Sequence, residues 1–144
     1  MLTDSTMKIL PALLFALLTD FKLVRELPLA GETHHVQGIE FDERRLWVTS
    51  VDRASRKGYL MEFDLSTGAR LRTMEVSRGE RFHPGGIGGD GEWLWVPVAE
   101  YRRASSASIQ KRSRRTLEVE SEFEVTDHIG CAAAVPEEIG RAHV

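Results

Sequence analysis

The chain has 144 residues, enough for one domain of ordinary size, and its 42% hydrophobic and 28% charged composition excludes a disordered or low-complexity polymer. A net charge of −3 supplies no global basic field for nucleic acid. The single cysteine, Cys131, excludes an intrachain disulfide framework.

Residues 1–19 read as a signal-peptide-like leader. Lys8 precedes an apolar run from Ile9 to Leu18, interrupted only by Pro11, and Met7 is an alternative start. The run is too short for a membrane span and suits a signal h-region, although Ala16-Leu17-Leu18-Thr19-Asp20 offers no A-x-A cleavage pattern. The expectation is a periplasmic or extracellular protein with no stable membrane span. The alternative is an apolar segment packed on the fold.

Residues 20–136 carry an internal repeat. Gly31-Glu32-Thr33-His34-His35-Val36-Gln37-Gly38-Ile39 aligns with Gly79-Glu80-Arg81-Phe82-His83-Pro84-Gly85-Gly86-Ile87 at an offset of 48, and Leu46-Trp47-Val48 aligns with Leu94-Trp95-Val96 at the same offset. His128-Ile129-Gly130 opens a third copy, 45 residues after His83. In chain order, Phe21–Leu29 reads as a strand that precedes the first copy. Four strands follow, over 36–41, 46–51, 58–65 and 70–76. The third alternates, with Tyr59, Met61, Phe63 and Leu65 on one face and Glu62 and Asp64 on the other. Asp64-Leu65-Ser66-Thr67-Gly68 ends it in a turn. In the second copy Asp90-Gly91 marks a hairpin. Its third strand is the least distinct, near Ala107–Lys111. Its fourth, Leu117–Val125, alternates glutamates with apolar or small residues, as an outer strand with one solvated face does. Four antiparallel strands per copy at this period predict an all-β fold: a β-propeller fragment of two four-stranded blades plus the start of a third. Residues 137–144 end in Glu-Ile-Gly-Arg-Ala-His-Val, which resembles a translated sequencing adapter, and are set apart as a non-native tail.

The Leu-Trp-Val strand and the Phe63-Asp64-Leu65-x-Thr67-Gly68 turn resemble those of secreted bacterial propellers of unknown function. More distantly, the chain resembles six-bladed lactonase-like and strictosidine-synthase-like propellers. The turn is also similar to that of quinoprotein blades. Their docking tryptophan is missing, because Ala69-Arg70-Leu71-Arg72 follows, and this argues against a quinone cofactor.

On a propeller, equivalent positions form a ring around the channel mouth. His35, His83 and His128 are equivalent, as are Asp52 and Glu100; Tyr101 and Arg102 follow the latter. These seven residues are the candidate site. Two functions follow from it. The first is a secreted ligand-binding or scaffold propeller that holds a small molecule or protein at its mouth. The second is a lactonase-like, metal-dependent hydrolase, with imidazole and carboxylate as divalent-metal ligands. Set against both is a bracing role, in which His35 bonds Asp52 and His83 bonds Glu100 within each blade, as in WD-repeat proteins. Trp47 and Trp95 read as core, and Trp93 as exposed near the turn. The basic run Arg102, Arg103, Lys111, Arg112, Arg114 and Arg115 reads as a solvated surface split between two faces, not as a nucleic-acid stripe.

Overall fold

The described strands form antiparallel ladders in which most strands pair with a sequence neighbour across a short polar turn. The computed structural model describes residues 22–134 and the backbone of 139–143. Among these residues there is no helix, and so none long and apolar enough to cross a membrane. The expected leader lies outside the described residues.

The first sheet is a meander of β1 (His35–Phe41), β2 (Arg45–Asp52), β3 (Lys57–Asp64) and β4 (Arg70–Glu75). The second contains β5 (Arg81–Pro84), β6 (Gly88–Asp90), β7 (Trp93–Glu100), β8 (Ala107–Ser113) and β9 (Val119–Val125), with both β5 and β6 paired to β7. The single strand β1 is thus replaced in the second copy by two short pieces that flank Gly85-Gly86-Ile87. β10 (Ile129–Ala134) and β11 (Ile139–His143) form a third ladder, with Ile139 opposite Ala134. The residues set apart as a tail therefore lie where a repeat would place its second strand.

The turns explain why the strands stop. Asp42 Oδ1 accepts from the amides of Arg44 and Arg45, both at 2.8 Å, and closes the β1–β2 turn. Asp64 Oδ1 accepts from Ser66 N at 2.9 Å and Thr67 N at 3.0 Å, and Gly68 then takes φ 73°. The second copy builds the same turn from other residues. Ser113 Oγ accepts from Arg115 N and Thr116 N, and Leu117 takes φ 62° in the glycine's place. Leu117 is fully buried, so apolar burial offsets a left-handed backbone that is uncommon outside glycine.

The first and second sheets pack face to face over Trp47, Leu60 and Val76 on one side and Leu94, Val96, Val98 and Leu117 on the other. The opposite face of the first sheet buries Val48, Met61 and Phe63 beneath Leu29. The segment 22–29 thus reaches the place expected of a preceding strand, but it is not a strand; Ala30 N donates to Gly68 O at 2.9 Å where it meets the sheet. Met61, Phe63 and the partly buried Tyr59 gather on one face, as the alternation expected of the third strand requires. Glu62 lies on the other face, as expected, but is buried there. Its side chain is buried between Arg45, at 3.1 Å, and Arg72.

The expectation of a solvated basic run fails at Arg112, which is only 2% exposed. Its position in the register, opposite Leu94, turns it inward. Nε donates to Gln110 Oε1 at 2.7 Å and Nη1 to Leu117 O at 2.6 Å, while Gln110 Nε2 donates to Val76 O at 2.9 Å. Burial, and then the nearby Arg78, lower the Arg112 pKa to about 10. Trp93 is half-buried rather than exposed, with the Lys111 ammonium 4.3 Å from its ring centre.

The starting strands of the three ladders meet backbone to backbone. A Cβ on Gly38 would stand 2.6 Å from Gly86 Cα, so only glycine allows this approach. Gly86 pairs in parallel with Cys131; Gly86 N donates to Gly130 O at 2.9 Å, and Ala132 N donates to Gly86 O at 3.0 Å. Thr49 Oγ1 ties the first sheet to this seam by donating to Gly85 O at 2.7 Å. Gly38, Gly86 and Cys131 are successive copies of one repeat position.

Candidate functional site

The convergence of these strands brings repeat-equivalent side chains together. The β1–β2 register shifts between Val36 and Gly38, which leaves Gln37 as a bulge residue. A bulge re-aims a side chain, and here the Gln37 amide reaches into the neighbouring copy. Its Oε1 lies 3.0 Å from His83 Nε2, and its Nε2 lies 2.8 Å from His35 Nδ1. The carbonyl oxygen can only accept and the amide nitrogen only donate. His83 Nε2 therefore carries hydrogen, and His35 Nδ1 accepts. His128 is placed by Arg102 O, 3.1 Å from its Nδ1, and by Ser105 Oγ at 2.8 Å. A carbonyl partner puts a hydrogen on Nδ1.

The rings of His83 and His128 have centres 5.9 Å apart, and Tyr101 lies 4.6 Å from His83. Together they line an open cleft of about 750 Å³, floored by Gly85, Ile129 and Gly130 and walled by Gln37, Arg102 and Arg103. Gln37, Gly85 and Gly130 are again one repeat position in three copies. Burial, and then the neighbouring His128 and His35 imidazoles, lower the His83 pKa below the ordinary value of 6.5. The ring is therefore neutral at neutral pH.

The carboxylates do not join the imidazoles. Asp52 closes its own turn, accepting from Ala54 N at 3.0 Å and from Ser55 Oγ at 2.5 Å, and the Ser55 hydroxyl is the main reason its pKa is lowered. Glu100 accepts from Arg102 Nε and from Ser106 Oγ at 3.0 Å, and the Arg102 guanidinium lowers its pKa. In place of the bracing pairs expected within each copy, His35 bonds Gln37 of its own copy, and His83 and His128 bond groups of the preceding copy. The physical reason is reach: both carboxylates are the last residues of their strands and find donors in the turns that follow, whereas Gln37 in its bulge spans two sheets. Among the described residues no group of three or more His, Cys, Asp or Glu side chains gathers to hold a metal ion. The donor set present does not fit a divalent metal.

Of the seven candidate residues, the structure brings His83, Tyr101, Arg102 and His128 into one cleft, keeps His35 beside it through Gln37, and leaves Asp52 and Glu100 in their turns. Sequence reasoning missed Gln37 and Arg103. The signal for Gln37 was its replacement by glycine in both other copies, Gly85 and Gly130, which leaves it the one side chain at that repeat position.

Comparison with known families places the chain. A family model described as "Family of unknown function (DUF6454)" matches residues 19–138. The chain belongs to this family. The match spans β1 to β10 and thus every side chain of the cleft. No curated protein matches the chain.

Proposed function

We propose that this DUF6454 chain is a segment of an exported β-propeller that binds a small ligand at its channel mouth. The observation that carries this reading is the cleft shared by His83, Tyr101 and His128, to which successive repeats contribute equivalent positions. Support for the propeller comes from the 48-residue repeat of four-stranded meanders and from the Gly38–Gly86–Cys131 seam, where successive starting strands approach as they do around a channel. Support for small-molecule binding comes from a concave, largely apolar floor with a few convergent polar atoms. The hydrolase reading is weaker, because Asp52 and Glu100 are engaged in their turns and do not face the imidazoles.

Phenol is a suitable probe, with a flat ring for Tyr101 and a hydroxyl to donate to an imidazole nitrogen. Titrated into the ¹⁵N-labelled 144-residue chain, it is expected to shift the amides of Gly85, Tyr101 and Gly130 in a saturable manner. Shifts scattered over the surface, or none at the cleft, would contradict the reading.

A further inference from the structure

The cleft wall carries guanidinium groups and, among the described residues that line it, no carboxylate. The arginines near it divide into two kinds. Arg56 is paired with Glu80, Arg81 with Glu124 and Arg102 with Glu100. Arg103 has no ion pair or side-chain hydrogen bond among the described residues. Arg53 lies over the Tyr101 ring, 5.0 Å from its centre, with its charge likewise unpaired. Arg53 belongs to a separate pocket that also holds Glu80 and Glu100, so the cleft itself carries one unpaired guanidinium, Arg103, above an apolar floor. The imidazoles add a second feature. With hydrogen on His83 Nε2, the Nδ1 of that ring is left as an acceptor, while His128 Nδ1 donates to Arg102 O.

Resting on the cleft reading above, we propose that the ligand is a small aromatic hydroxycarboxylate. Its ring lies against Tyr101 and the glycine floor, its carboxylate faces Arg103, and its hydroxyl donates to an imidazole nitrogen. A guanidinium fork matches a carboxylate in shape as well as charge. Arg103 needs to break no existing pair to engage one. The hydroxyl satisfies an acceptor that an unsubstituted aromatic acid would leave bare.

The test compares 4-hydroxybenzoate with its neutral isostere 4-hydroxybenzamide on the full chain, following the Gly85, Tyr101 and Gly130 amides. The acid is expected to bind about tenfold more tightly than the amide, the worth of one charge-assisted contact. Arg103→Gln should remove most of that preference by weakening the acid far more than the amide, while Arg115→Gln, at a distant turn, should alter neither affinity. Retention of the wild-type amide spectrum shows that each variant folds. Equal affinity for acid and amide, or an undiminished preference in Arg103→Gln, would overturn the proposal while phenol binding still upheld the cleft. Failure of phenol and both benzoyl probes to shift the cleft amides would overturn both.

Discussion

His83 couples the cleft to the stability of the fold. It is held below its ordinary pKa by burial, and then by His128 and His35, so the unfolded chain takes up the proton first as pH falls. The stabilisation is complete above about pH 6.5 and is lost as pH falls from there through the folded-state value. The lowered carboxylates act elsewhere on the scale. Asp64, held at about 2 chiefly by the Ser66 hydroxyl, gives stability that is lost only in stronger acid. The interval from pH 7.5 to 5.5 therefore reports on imidazole. The melting temperature of the chain should fall across it, and His83→Gln should flatten the slope. An identical slope in the variant would show that His83 is not the group responsible.

At the scale of elements, the sheets are stapled by side chains that cross between copies. Glu62 on β3 is buried between Arg45 and Arg72, and the same Arg72 donates to the carbonyls of Arg114 and Arg115 at the β8–β9 turn. Arg114 returns the link, stacking 4.7 Å from the Trp47 ring centre and pairing with Glu40 at 3.1 Å. Glu62→Gln should therefore cost about 1–3 kcal/mol in urea unfolding. This is less than for a wholly buried pair, because both arginines keep partial access to water. Glu75→Gln, which breaks an exposed pair with Lys57, should cost under about 1 kcal/mol. Equal costs would remove Glu62 from this role. Much of this level was legible in the sequence: β2 and β7 stand 48 residues apart, as Trp47 and Trp95 predict. What was hidden was hidden by substitution of one physical solution for another. Ser113 does the work of Asp64, and Leu117 occupies a left-handed position that composition assigns to glycine. Arg112 looked solvated because its neighbours are charged, but strand register, not composition, decides which side chain turns inward. The His–carboxylate pairs were expected from spacing alone, which cannot register that Asp52 and Glu100 find nearer donors in their own turns.

At the scale of the molecule, the described residues form antiparallel ladders whose starting strands meet at the Gly38–Gly86–Cys131 seam. β1 keeps one edge without a strand partner, and Ile39 and Phe41 on it are 59% and 63% exposed. In the proposed propeller, the face of a further repeat would pack over these two side chains. The cleft depends on this convergence, since His83 and His128 share it only if the starting strands of their ladders lie side by side. Gly86 and Cys131 stand at that seam, and a Cβ on Gly86 would lie 2.9 Å from Cys131 Cβ. A disulfide needs about 3.5–4.5 Å between Cβ atoms, so the strands need part by only about 1 Å. The most direct measurement is therefore the thiol content of Gly86→Cys after mild oxidation. Cys131 is the only native cysteine, so any intramolecular disulfide must join these two positions. The account predicts a monomeric product with no thiol available to maleimide until a reductant is added. Two freely reactive thiols in a folded monomer would contradict the convergence of the strands, and with it the cleft.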